Sequence, residues 1–181
     1  GPAINPVPRK MILEHVGGVL AALGGAGLVV TISIPRGREL AKKTLNGRLG
    51  IVEGLSILGT TGIVRPHSTA AWRASVGQSI DVAAANGISE VLMSTGGRSE
   101  RYGQRLLGLE EMALIEMGEF TGYALRRAVA RGIQTVHLCG MIGKFAKIAQ
   151  GHLMTHVAGN QVDPGFLAEI AAGEGGSEAL V

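Results

Sequence analysis

An α/β fold is predicted from three features of the chain. Short apolar, β-branched runs alternate with stretches of helical periodicity, and glycine-rich loops follow the runs. The composition agrees: 46% of the 181 residues are hydrophobic but only 3% aromatic, and 29 are glycine, which suits strands and helices joined by tight turns. Strands separated by helices must run parallel and be covered on both faces, so the expected arrangement is a Rossmann-like three-layer sandwich with a mostly parallel sheet. A chain of this length buries roughly 70% of its unfolded surface, enough for a core without staples.

The elements follow in order. Asn5 to Arg9 places two prolines before a helix reaching about Leu23, with Ile12, Leu13, Val16, Leu20 and Leu23 on one face. A strand is expected near Leu28 to Ile34, broken by Pro35 to Arg38. A short basic helix from Glu39 to Leu45 ends at the turn pair Asn46-Gly47. Residues 1–47 read as a helix and strand belonging to a preceding domain, and 48–181 as the Rossmann-like ligand-binding domain. There Ile51 to Glu53 is the first strand and Gly54 to Gly62 its loop; Ser68 to about Asn86 is a helix stopped by Gly87. Glu90 to Ser94 is the second strand, with a loop from Thr95 to Ser99 and a short helix to about Leu106. A mixed segment, Met112 to Met117, leads to a helix from about Glu119 to Ala130, closed by Gly132. Ile133 to Leu138 is the third strand, and a helix carrying Lys144 and Lys147 follows Cys139 to Gly143. A last helix, Pro164 to about Ala171, precedes a polar tail at 173–177 that is expected to be mobile.

Composition also excludes. A net charge of +3 and a pI near 9.4 favour anionic partners, but a dense basic stripe and aromatic stacking platforms are both missing, so nucleic acid is not expected. Val16 to Ile34 is uncharged and nearly long enough for a membrane span, yet five glycines interrupt it, and a helix, a turn and a strand describe it better. No membrane partner or signal peptide is expected. The single Cys139 rules out an internal disulfide framework and fits a reducing, cytoplasmic compartment.

Three loops could carry chemistry. In Gly54 to Pro66, glycines and the hydroxyls of Ser56, Thr60 and Thr61 offer close backbone approach and hydrogen bonds to a ribose or a carboxylate; the spacing is not that of a dinucleotide fingerprint. In Ser94 to Arg101, Arg98 and Arg101 either fork a ligand carboxylate or pair with Glu100 in solvent. The third, Cys139 to His156, opens like a phosphate loop but has Leu138 and Phe145 where that motif needs glycine and a hydroxyl. It leaves a helix N-terminus with Lys144 and Lys147 on one side. His152 and His156 are four apart, but Leu153 stands where a zinc protease needs glutamate and no third ligand is near, so no metal site is assigned. His67 and His137 read as hydrogen-bonded structural residues, and Glu116 with Glu119 as a solvated helix face.

Together, NPVPR (Asn5 to Arg9), RLGIVEGLSILGTTGIVRP (Arg48 to Pro66), STGG (Ser94 to Gly97) and GKFAKIAQG with Thr155-His156 resemble the CbiD family, the cobalt-precorrin-5B (C-1)-methyltransferases. Members look about twice as long, so the resemblance implies that this chain is a C-terminal part of such a protein. It implies methyl transfer from S-adenosylmethionine to carbon 1 of a cobalt-bearing tetrapyrrole, giving cobalt-precorrin-6A, with cobalt present only as part of the substrate. On this reading Gly59, Thr60, Thr61 and Gly62, with Ser94, Thr95, Gly96 and Gly97, bind the cosubstrate. Arg65, Arg98, Arg101, Lys144 and Lys147 meet the acidic macrocycle, and His156 handles a proton. Two other readings remain: a non-catalytic tetrapyrrole-binding or assembly module completed by a missing domain, and an unrelated nucleotide-binding enzyme. If the first 47 residues belong to a lost domain, the apolar surface they expose favours self-association into a homo-oligomer.

Overall fold

The computed structural model describes residues 3–25, 27–59, 61–63, 68–156 and 159–177. The chain divides into two compact units, Gly1–Ser68 and Thr69–Val181.

In the first unit, helix α1 spans Pro6–Leu23, so the prolines lie in its first turn, and Gly24 ends it at φ 65°. Helix α2 is confined to Gly37–Ala41, shorter than the basic stretch suggested. Two expected strands are absent. Residues 28–34 have no strand pairing, and Val29 is 91% exposed; an extended segment becomes a strand only where a neighbour takes up its N–H and C=O groups. Ile51 to Glu53 is not a strand either, because Glu53 sits at φ 65°, outside the extended region. Among the described residues the pairing in this unit is a single parallel bridge, Ile4 with Ile57. Buried Asn46 donates from Nδ2 to the Gly54 carbonyl at 3.3 Å and accepts from the Ser56 hydroxyl at 3.4 Å, fixing the start of the glycine-rich loop.

The second unit is the α/β fold. Its elements are α3 (Thr69–Ala85), β1 (Glu90–Ser94), α4 (Gly97–Leu107), β2 (Leu114–Glu116), α5 (Thr121–Ala130), β3 (Thr135–Cys139), α6 (Ile142–Ala149) and α7 (Pro164–Gly173). Three parallel strands form an open sheet in the order β2-β1-β3. Strand β2 comes from the mixed segment, where a 3-10 turn, Glu111–Ala113, leads into it.

Alternation along the strands divides the core. Val91, Met93 and Ile115 pack with Val76 and Ile80 of α3 and Phe120, Ala124 and Ala128 of α5. Leu92 turns to the other face, where its methyls leave no room for a Cβ on Gly103 of α4. Helices therefore cover both faces, as a parallel sheet requires. Helix α3 stops where Gly87 takes φ 78° and Ile88 donates back to the Ala83 carbonyl at 3.1 Å. The two helices of one face are pinned by Asp81 of α3, which accepts from Arg127 and, at 2.8 and 3.1 Å, from Arg131. Hydrogen bonding from Arg127 outweighs desolvation and lowers the Asp81 carboxyl from 3.8 to about 2. His137 bonds Glu90 across β1 and β3 at 2.7 Å. Among the described residues no helix is long and apolar enough to cross a membrane.

Candidate active site at the carboxyl edge of the sheet

Strands β1, β2 and β3 end side by side at Ser94, Glu116 and Cys139. From β1 the chain crosses to β2 on one side, and from β2 it passes to β3 on the other, so the connections diverge between β1 and β3. Such a switch point opens a crevice at the carboxyl ends. The turns flanking it are Thr95 to Gly97 and Gly140 to Met141. They touch: the Thr95 N–H donates to the Cys139 carbonyl at 3.0 Å. A Cβ on Gly140 would lie 2.8 Å from the Phe145 ring and 2.9 Å from the Thr95 methyl, so only glycine fits there. Gly96 caps α4 without a side-chain hydrogen bond, leaving the first-turn N–H groups of that helix to other acceptors. Arg98 and Arg101 follow on exposed turns of α4, and Ser94 is wholly buried beneath them in sequence.

A second group lies over the end of β2. The Ser94 carbonyl accepts from the N–H groups of Met117 at 2.9 Å and Gly118 at 3.2 Å. Gly118 takes φ 58°, and a Cβ on it would fall 2.2 Å from the Trp72 ring. Trp72 also meets Phe120 edge-on, with centroids 5.4 Å apart at 85°. Held in this turn, Glu119 is 7% exposed. The segment after α6 returns to it: Gly122 N–H donates to the Leu153 carbonyl at 2.9 Å, and Thr155 N–H to the Glu119 carbonyl at 3.1 Å. Lys144 Nζ donates to the Thr155 carbonyl and hydroxyl, both at 3.3 Å. Lys147, itself 5% exposed, donates to the same carbonyl at 3.5 Å. The outcome is that His156 Nε2 stands 3.8 Å from Glu119 Oε2. Thr69, Ala70, Arg73, Glu119, Phe120, Met154 and His156 line a cavity of about 400 Å³. The Arg73 guanidinium lies over the Tyr123 ring at 5.6 Å from its centroid. The buried hydroxyls of Ser94 and Thr121 make no hydrogen bond to protein atoms.

Lys144 and Lys147 do share one side of their helix, as their spacing requires. His152 and His156 do not, because α6 ends at Ala149. Among the described residues no three His, Cys, Asp or Glu side chains gather in a way that could hold a metal ion. The loop from Gly54 to Gly62 belongs to the first unit, where no strand precedes it; Gly59, Thr61 and Gly62 are exposed there, and the Thr61 hydroxyl accepts from the Ile63 N–H at 3.2 Å. Thr60, Arg65 and His67 lie outside the described residues. Sequence reasoning missed Glu119 and Arg73. Glu119 was expected on a solvated helix face, but α5 begins two residues later, at Thr121. The signal was Gly118, a turn glycine between an apolar run and a carboxylate.

The CbiD family model matches residues 1–66. The chain is 55% identical over 181 residues to the cobalt-precorrin-5B C(1)-methyltransferase of Geobacillus kaustophilus (strain HTA426), covering 99% of this chain and 49% of that protein. It is 56% identical over 180 residues to the protein of the same name from Rubrobacter xylanophilus, covering 99% of this chain and 46% of that one. For the Thermus thermophilus protein the values are 55% over 177 residues, 97% and 47%. A solved structure of the cobalamin biosynthesis protein CbiD from Archaeoglobus fulgidus is 26% identical, covering 96% of this chain and 52% of that one, with a TM-score of 0.34. The chain spans about half the length of the curated relatives it matches. More than half of the residues are identical to these relatives along nearly all of this chain, which is thus homologous to about half of such a protein, and its first 66 residues match the CbiD family.

Proposed function

We propose that this chain supplies the catalytic edge of a methyltransferase acting in cobalamin biosynthesis, which methylates carbon 1 of cobalt-precorrin-5B and so forms cobalt-precorrin-6A. The observation that carries the reading is the switch point between β1 and β3 at the carboxyl edge of the sheet, read beside relatives that bear that name. S-adenosylmethionine, when bound, supplies a methyl group already activated by its positive sulfur. The residues present fit such a donor: Gly96 and Gly97 put no side chain over the carboxyl edge, α4 offers first-turn N–H groups, and Glu119 provides a buried carboxylate.

The protein's task is then alignment. A donor and an acceptor carbon held in line gain up to about 7–11 kcal/mol from proximity alone. Carbon–sulfur cleavage returns an electron pair to sulfur, a carbon–carbon bond forms, and the substrate loses one proton. His156, exposed and beside Glu119, takes that proton. Exposed Arg98 and Arg101, with Lys144, meet the carboxylates of the macrocycle. Buried Lys147 serves by fixing the Thr155 carbonyl, and through it the neighbouring His156. Thr95 to Gly97 hold the cosubstrate above Ser94.

Gly140→Val tests the crevice. Its side chain would collide with Thr95 and Phe145, so calorimetric affinity for S-adenosylhomocysteine should fall at least about tenfold; unchanged affinity in a folded variant rejects the assignment. Because the chain spans about half of its relatives, a second reading is a tetrapyrrole-binding module whose methyl site is completed elsewhere. Separate titrations with S-adenosylhomocysteine and a corrinoid distinguish them, since the module binds only the second.

A further inference from the structure

The cavity over the end of β2 carries both signs of charge at its wall. Glu119 is 7% exposed, while Arg73, on the facing helix α3, lines the same space. A ligand that brought only an anion would set like charge against the nearly buried Glu119 carboxylate, and one that brought only a cation would leave the exposed Arg73 guanidinium to water. A zwitterion satisfies both at once. The rest of the lining is Phe120, Met154 and His156 with two small residues, Thr69 and Ala70, and its apolar part suits a short methylene chain between the charges.

Size narrows the ligand further. About 400 Å³ is near the low end of the roughly 300–1,000 Å³ found for small-molecule pockets, so the cavity takes an amino-acid-sized end rather than a whole tetrapyrrole. It is also built to stay in place. Trp72 packs into the space that a side chain on Gly118 would need, meets Phe120 edge-on, and immediately precedes Arg73. The Arg73 guanidinium rests on the Tyr123 ring, and the Glu119 carbonyl is bonded by Thr155. The other charged groups that face Glu119 are His156 on the returning segment and, one carbonyl behind it, Lys144 and Lys147 of α6.

We propose that this cavity seats the α-amino-acid end of the methyl donor, Glu119 receiving its ammonium group and Arg73 its carboxylate. The inference rests on the S-adenosylmethionine reading above and assigns two residues that neither motif nor loop had indicated.

The test compares two ligands that share the thioether and the adenosine but differ in the amino-acid end. Affinities of the full protein for S-adenosylhomocysteine and for 5′-methylthioadenosine are measured by calorimetry in wild type, Arg73→Gln and Glu119→Gln, with folding checked by circular dichroism. Each substitution should weaken S-adenosylhomocysteine by about tenfold to a hundredfold, the range for charge-assisted hydrogen bonds, and leave methylthioadenosine unchanged. Equal loss for both ligands, or no loss for either, overturns the inference while the donor reading stands. If wild-type protein binds neither ligand, both fall. Should Glu119→Gln fail to fold, Arg73→Gln carries the comparison, because its side chain is exposed.

Discussion

Asp81 answers two guanidinium groups, Arg127 and Arg131, from the face of α3 that meets α5. Its carboxyl lies at about 2 in the folded chain against an ordinary 3.8, so the folded state favours the charged form. The stabilisation is therefore complete above about pH 4 and is lost as pH falls from there towards 2. With side-chain exposures of 31% for Asp81 and 35% and 46% for the arginines, solvent screening keeps the effect modest. Asp81→Asn should cost about 1–2 kcal/mol at pH 7, and urea midpoints of wild type and variant should converge between pH 4 and pH 2. His156 makes a different prediction. As the proton acceptor it should lower kcat by roughly 10²–10⁴-fold when changed to Gln, with little change in KM; a fall confined to KM would make it a binding residue instead.

Helix α3 meets the sheet through Ile80, which is fully buried among Val91, Met93 and Ile115. Ile80→Ala should lower stability by about 2–5 kcal/mol in chemical denaturation, with the loss of α3 and α5 signals in one step. The elements of this unit were largely legible in the sequence, for physical reasons. Alternation of apolar runs with helical stretches gave α3, β1, α5, β3 and α6, and Gly87 marked a helix stop that its φ of 78° explains. Strand β2 escaped because three residues, Leu114–Glu116, are too few to show a period. The reading at 28–34 erred the other way: β-branched alternation reports how side chains would sit on a sheet, not whether a partner strand exists. The candidate site was half legible. Glycine turns and the lysine pair pointed to the carboxyl edge, whereas Glu119 and Arg73 became neighbours of one cavity only through the return of the chain after α6.

The first unit carries the larger apolar surface of the described chain. Leu13, Val19 and Leu23 of α1 are 71%, 59% and 77% exposed, and Leu28 and Val29 beyond it are 60% and 91% exposed. His15, Val16, Val19, Leu20, Leu23 and Leu28 line one shallow apolar hollow. Contiguous apolar surface of this kind drives association. The chain should form concentration-dependent oligomers in sedimentation velocity, and Leu23→Lys with Val29→Lys should return it to monomer without loss of helical signal; oligomers that persist in the double variant would place the contact elsewhere. The boundary at Ser68 makes the experiment clean, because both substitutions lie well outside the α/β unit.

One carbonyl, that of Thr155, takes hydrogen bonds from two lysines of α6, while the N–H of the same residue donates to the turn beyond β2. His156 is consequently the last piece to settle: helix α6 must be formed and the turn at Gly118 closed before its ring has an address. The clasp is also small, a handful of bonds near a helix end, and such contacts open at lower free energy than the sheet does. Warming should therefore silence the chemistry while the fold still reads as intact, and a ligand that fastens the clasp would raise the temperature of inactivation more than that of unfolding.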